Sequence, residues 1–460
     1  MDARSYSVHY SAKDGKFAHR YPALAHLPFI IDSRPGYHRD GNAYLIDRGL
    51  GRRIGADQEP LFGGRIPTKK SMDNYAAWLA NFLEWAEVRG IDLTTCDYSV
   101  HIAGQYQTEM LKGIWSQAGN GLKPSTVTVR VNEACNFLSW MVHTGRRGVS
   151  FDVPYTTAKI RLDSAIGGYG TKIKEVKVRR GAVRSKGRSI SMPSDDQLDR
   201  WLERVNSDKG YTVWLMCYTV LLTAMRREEV VCLRINTLPL DPSSWSVVNP
   251  QAPERLRNVR VTIKYGTKGP QFGEDHGDKI GPERDILIPL SLAKLWHEYR
   301  SGHRAKAFGI RMKGQHGQAA RSAKAKRAVH LFLRESDGER FMGDMFGKAW
   351  AAASSPFSID SHRGGTEQWS PHTGRHWWAC SILWRELKRY ENIVYTSNET
   401  AAALIENSAL SIIRLQIQPQ LGHASRETTM LYLRWVMEML SIPITLYDDD
   451  DLTIRPPTRI

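Results

Sequence analysis

The sequence predicts a mainly α-helical protein with a small β-hairpin or sheet. Three observations lead there: long stretches with apolar residues at helical spacing, one pair of alternating segments, and a basic chain of 460 residues. That length accommodates two or three domains with a well-buried core. A hydrophobic content of 41% with 14 tryptophans favours a folded chain over a disordered one.

The elements follow in order. Residues 1–66 form an N-terminal extension of unassigned role. Apolar runs at Pro28–Ile31 and Ala43–Ile46 flank the turn residues Arg34-Pro35-Gly36 and Asp40-Gly41, which predicts strand-turn-strand. Residues 67–158 read as a helical bundle. Ser71 is placed to cap a helix carrying Tyr75, Trp78, Leu79, Phe82 and Ala86. Ser125 is placed to cap a second, with Val127, Val131, Ala134, Leu138 and Met141 on its buried face and Gly145 closing it. Residues 159–189 are a basic linker, with ten Lys or Arg between Lys159 and Arg188 against Asp163 and Glu175. Such a run is a solvated linker, a strap along phosphates, or both.

A further domain spans 190–445. Ser194 and the acids after it mark a helix start. Residues 211–225 form an uncharged apolar stretch, shorter than the roughly 20 residues of a membrane span, so a buried helix is expected and no membrane partner. Alternation in Val259–Lys264 and Ile286–Pro289 predicts a hairpin with the Gly-rich stretch 266–281 at its tip. Residues 301–328 carry eight Lys or Arg and no acid, an exposed basic insertion. Residues 446–460 form a polar tail.

A net charge of +16 and a pI near 9.6 call for a polyanionic partner, with double-stranded DNA first. The five cysteines are scattered without a Cys-x-x-Cys pair, as in a reduced, cytoplasmic protein, and no apolar leader follows Met1.

The residues with chemistry are Arg226 in Thr-Ala-Met-Arg-Arg-Glu-Glu-Val, Lys268 in Tyr-Gly-Thr-Lys-Gly, His372 and Arg375 in Pro-His-Thr-Gly-Arg-His, His423 in Leu-Gly-His, and Tyr432. Transfer of a phosphodiester needs a nucleophile, charge neutralisation at the non-bridging oxygens and a proton for the leaving oxygen. Arginine forks suit the second task, and His372 shares a face with Arg375 three residues on. A lysine on a hairpin tip can protonate a leaving oxygen; Lys264 competes with Lys268 for this role. Taken singly, each has an ordinary reading: Arg226 as an ion-pair partner of Glu229, His376 as a core histidine beside Trp377 and Trp378, Tyr432 as a half-buried helix residue with Tyr447 as a rival. His372 and His376 stand four apart, yet no third ligand accompanies them, so no metal and no cofactor is expected. Only the order and joint spacing raise the set above its parts.

That set resembles the tyrosine recombinases, the phage-type integrases and transposon recombinases. Their Thr-Gly-x-Arg-x-x-Glu-Leu, hairpin lysine, His-x-x-Arg-His, and Leu-Gly-His with Tyr nine residues later are matched by 223–230, Lys268, 372–376, and 421–423 with Tyr432. Ala224 stands for the family's glycine and Val230 for its leucine. The match covers about 190–440, and 67–150 is similar to the family's core-binding domain. The resemblance implies a C-shaped clamp on DNA and site-specific integration or transposition for a mobile element. It implies a Tyr432 nucleophile forming a 3′-phosphotyrosine, with Arg226, Arg375, His372 and His423 holding the phosphate. Lys268 would be the acid and Glu229 the support of Arg226. It further implies a tetramer on two DNA sites, with accessory DNA-bending proteins as possible partners. Two other readings stay open: a catalytically inactive architectural DNA-binding protein on this fold, and a topoisomerase-like relaxing enzyme.

Overall fold

A computed structural model describes residues 6–12, 15–52, 66–162, 172–183, 193–314, 316–354, 359–360, 366–367, 369–388, 408–422 and Tyr432. The chain is mainly helical with small antiparallel sheets, and it divides into two compact units, Met1–Gly187 and Arg188–Ile460. Among the described residues no helix is long and apolar enough to cross a membrane.

In the first unit, β1 (Ser7–His9) pairs antiparallel with β2 (Phe29–Ile31). The second run of the expected strand-turn-strand is not a strand. Ala43–Ile46 lies inside a helix, Arg39–Gly49, whose His38 Nδ1 accepts from the Gly41 N–H at 3.0 Å. The cap and the helical spacing of Tyr44, Leu45 and Arg48 outweigh the short apolar run. The next helix, Lys69–Val88, starts before Ser71: Thr68 is the cap, its Oγ1 accepting from the Ser71 N–H at 3.3 Å. In helix Pro124–His143 Lys123 holds the cap position and Pro124 the first turn, where a missing N–H costs nothing. Ser125 is therefore inside the helix. Val127, Val131, Ala134, Leu138 and Met141 are buried as the spacing predicts.

The N-terminal extension contributes side chains to that core. Tyr6, Leu27, Ile30, Tyr44 and Leu45 pack with the helices Lys69–Val88 and Pro124–His143. Tyr44 donates to Glu133 at 2.8 Å and Arg48 pairs with it at 3.2 Å, both deep in the apolar cluster. Part of the basic stretch expected as a linker is strand: β3 (Tyr155–Leu162) pairs antiparallel with β4 (Lys172–Arg179).

The second unit starts with α1 (Asp195–Lys209), where Ser194 and Gln197 close a reciprocal cap. The buried helix α2 (Tyr211–Thr223) follows, then the short α3 (Arg227–Val231). Strands β5 (Val247–Val248), β6 (Asn258–Tyr265), β7 (Gly273–Asp275) and β8 (Asp278–Pro289) form a sheet of order β5-β6-β8-β7. The expected hairpin is β6 on β8, with Val261 opposite Ile286; its tip holds an extra strand, β7. Val259, Val261, Ile263, Ile286 and Ile288 face the core, while Arg260, Thr262 and Lys264 are exposed, as period-two alternation requires.

After α4 (Leu290–Ser301), the basic insertion is not a simple exposed segment. It folds into α5 (His303–Met312) and α6 (Gln318–Lys326), and Arg304 and Arg311 are buried. Arg304 donates to the carbonyls of Ala328 (2.6 Å) and His330 (2.9 Å), which fastens α5 to the following segment. Then come α7 (Gly343–Ser354), α8 (Pro371–Lys388), a π-helical turn at Ile413–Ile417 and α9 (Gln418–Leu421).

Candidate functional site

The site is assembled where helix ends meet. Helix α2 stops because Ala224 adopts a left-handed conformation (φ +54°), the geometry that usually selects glycine at a helix C-terminus. Two residues later Arg226 is the cap of α3, and Glu229 is its third helical residue. Glu229 accepts from the Arg226 backbone N–H (2.7 Å) and from Arg226 Nη1 (2.8 Å). Arginine has no acceptor, so only the glutamate half of a capping box is made. This explains the Arg-x-x-Glu spacing: three residues is the reach from a helix cap to the side chain that satisfies it.

Glu229 also accepts from Arg284 on β8, at 2.7 Å through Nη2 and 3.3 Å through Nε. The carboxylate is fully buried. Burial alone would raise its pKa, but the charge and hydrogen bonds of Arg284, then those of Arg226, outweigh burial and hold it below the ordinary value. Glu229 is thus a charged, doubly clamped anchor.

The last turn of α9 supplies the opposite wall. Gly422 ends it in the left-handed region (φ +59°), and a Cβ there would meet Arg284 Cδ at 3.0 Å. The carbonyls freed at that end accept from the arginines. Arg226 Nη2 donates to Leu421 O and Gly422 O, both at 3.0 Å, and Arg375 Nη2 donates to Leu421 O at 2.9 Å. Arg375 Nη1 donates to the carbonyl of Ala224. Both predicted arginines therefore reach one oxygen. Arg375 is 2% exposed; burial pushes its pKa down to about 9, which leaves the guanidinium charged at neutral pH.

Arg375 and His372 belong to α8, which Ser370 caps by accepting the Thr373 N–H at 3.3 Å. His372, in the first turn, is exposed, and its ring centroid lies 4.4 Å from that of His376. His376 Nδ1 is 2.8 Å from the Tyr432 hydroxyl. Tyr432 is 1% exposed among Ala224, Ala379, Cys380, Leu383, Ile413, Ile417 and Leu421, and burial raises its phenol pKa; the Arg375 charge acts in the other direction. Tyr432 is accordingly more buried than the half-buried tyrosine of the ordinary reading, and His376 is its hydrogen-bond partner. His423 and Tyr447 lie outside the described residues.

Lys268 is exposed in the loop between β6 and β7. The loop is anchored two residues earlier by Gly266 (φ +70°), where a Cβ would meet the Glu228 carbonyl oxygen at 2.5 Å. Only glycine lets the strand end touch the backbone of α3 so closely. Lys264 instead stays on the strand face and pairs with Glu283 at 3.1 Å; that hydrogen bond and charge raise its pKa.

Two contributors were not anticipated from sequence. Arg284 is one. Gln420 is the other: its amide donates to Thr223 O (3.0 Å) and Leu287 O (2.9 Å) and accepts the Leu287 N–H (3.0 Å), tying α9 to α2 and β8.

No family model matches the chain, and no curated protein does. Solved structures it is similar to include recombinases and an integrase. Among them is the XerH site-specific recombinase bound to palindromic difH substrate, at 15% identity, covering 87% of each chain with a TM-score of 0.45. A Tn1549 transposon integrase in complex with circular intermediate DNA is 12% identical over 80% of this chain and 91% of that one, with a TM-score of 0.45. The XerA recombinase is 15% identical over 83% and 94%, with a TM-score of 0.31.

Proposed function

We propose that this protein is a tyrosine-type DNA strand transferase, a site-specific recombinase or integrase of the tyrosine recombinase family. The observation that carries the reading is the convergence of Arg226 and Arg375 on a single oxygen, with Arg375 also hydrogen-bonded to the carbonyl of Ala224, which shares a buried cluster with Tyr432. A carbonyl oxygen is a weaker acceptor for two guanidinium forks than a phosphate oxygen, so a scissile phosphate competes effectively for these donors. The Glu229 anchor keeps Arg226 in place at no cost at the moment of reaction.

The chemistry then balances without cofactor. The Tyr432 hydroxyl gives its proton to His376, whose Nδ1 lies 2.8 Å away, and its oxygen attacks phosphorus to form a 3′-phosphotyrosine as the bond to the 5′ oxygen breaks. Lys268 gives that oxygen its proton, and Arg226, Arg375, His372 and His423 hold the non-bridging oxygens. A 5′ hydroxyl from a partner duplex reverses the step, which conserves the bond. Four protomers on two DNA sites suit such an exchange. Lys264 is the poorer candidate for this role, because Glu283 holds its ammonium in the charged form.

The test is strand exchange between two target-bearing duplexes with chelator present and no nucleotide. Recombinant product supports the reading. Relaxation of supercoiled DNA without any joined product favours the topoisomerase-like alternative, and DNA binding with neither activity favours the architectural one.

A further inference from the structure

Away from the arginine cage, the second unit contains a cavity of about 380 Å³ lined by Arg311, Arg327, Arg340, His276, His330 and Glu339. We propose that it is a binding site for a phosphate oxyanion, separate from the strand-cleavage site.

Three features carry this. The first is charge. Arg311, Arg327 and Arg340 line the space, and Arg234 stands behind them, stacked 4.1 Å over the Tyr265 ring. Against these four cations stand three carboxylates, Glu339, Asp278 and Asp275, the last 3.8 Å from Arg234. Asp278 is already shared: Arg234 pairs with it at 2.9 Å, His330 at 2.6 Å, and Arg340 pairs with its other oxygen. Three carboxylates for four guanidinium groups leave one positive charge over.

The second is unmet hydrogen-bonding capacity. Arg311 is 7% exposed; its Nη1 serves Glu339 and the Gly338 carbonyl, yet its buried Nε has no partner among the described residues. Arg234, 4% exposed, has the same deficit at Nε and Nη1. Buried guanidinium donors left unpaired are costly; Arg311 lines the cavity, and an oxyanion there would offset the charge excess and offer its Nε an acceptor.

The third is shape. The arginines come from separate elements: Arg311 from α5, Arg327 from the end of α6, Arg340 from the segment before α7. Forks arriving from different directions match the several oxygens of a tetrahedral phosphate better than the two coplanar oxygens of a carboxylate. The volume lies at the small end of ligand sites and holds more than one phosphate group. The phosphate belongs either to the backbone of bound DNA or to a free polyphosphate.

The experiment uses the full chain and inorganic tripolyphosphate. Calorimetric titration is run on the wild type, on Arg327→Ala, whose side chain is exposed and leaves the fold intact, and on Arg311→Gln. The site predicts saturable binding that weakens about tenfold or more in Arg327→Ala, the scale of one charge-assisted hydrogen bond. A random-sequence duplex is then added. If tripolyphosphate displaces it, and Arg327→Ala weakens duplex binding on all sequences with a salt slope smaller by about 1, the phosphate comes from DNA. If tripolyphosphate binds without disturbing the duplex, the ligand is a free phosphate. No saturable binding, or the same affinity in both variants as in the wild type, overturns the proposal. The tripolyphosphate titration does not depend on the recombinase reading, so the two fail separately.

Discussion

Glu229 holds Arg226 twice, by its backbone N–H and by its guanidinium, with one buried carboxylate. The same carboxylate takes Arg284 from β8. Removing its charge strands two arginines in a low-dielectric site. Glu229→Gln should cost about 3 kcal/mol in denaturant unfolding at neutral pH, the scale for breaking a buried pair. The pH dependence follows from the sign of the shift. Glu229 lies below its ordinary value in the folded protein, so its stabilisation is present above the ordinary carboxyl pKa and is lost as pH falls through the folded value. Wild type should therefore lose stability on acidification more steeply than Glu229→Gln. Parallel slopes would show that the carboxylate carries no such role.

How much of this was legible depends on distance along the chain. The Arg226–Glu229 contact is three residues long and is a helix-capping geometry, so the spacing announces it. The hairpin was legible because Val259, Val261 and Ile263 alternate with polar residues. Arg284 and Gln420 were not, because they meet partners 55 and 197 residues away, and no local pattern encodes such a meeting. Ala43–Ile46 was misread for the opposite reason: a four-residue apolar run fits a strand or a buried helix until the His38 cap decides. The basic insertion misled because composition alone does not separate solvated arginines from Arg304 and Arg311, which are buried against backbone carbonyls.

Ala224 is a local compromise. Its φ of +54° costs an alanine about 1 kcal/mol, while its buried methyl group returns about 0.8 kcal/mol. Ala224→Gly should then change stability by less than about 0.5 kcal/mol. Ala224→Val, β-branched at positive φ in a filled core, should cost more than about 2 kcal/mol. Urea unfolding of the two variants separates these outcomes.

Lys268 and Lys264 make different predictions. If Lys268 protonates the leaving 5′ oxygen, Lys268→Ala slows cleavage by about 10²–10⁴-fold. A substrate with sulfur in place of that oxygen needs no proton and should restore the rate. Lys264→Ala, which loses only the exposed pair with Glu283, should leave the rate within about threefold. Rescue of Lys264→Ala instead would exchange the two roles.

The net charge of +16 predicts steep salt dependence. DNA affinity should fall by roughly 10³-fold or more between about 50 and 200 mM salt if six or more phosphates are contacted. A flat titration contradicts a phosphate-tracking interface.

In the proposed reaction the Tyr432 oxygen, 2.8 Å from His376 Nδ1, becomes bonded to DNA. The direct measurement is recovery of covalent protein–DNA adducts from cells, mapped by sequencing, with Tyr432→Phe in parallel. Adducts should cluster at one short sequence, be attached at a 3′ phosphate, and be absent in the variant. Adducts that persist in Tyr432→Phe, or a wild type that forms none on DNA it demonstrably binds, would contradict that reaction.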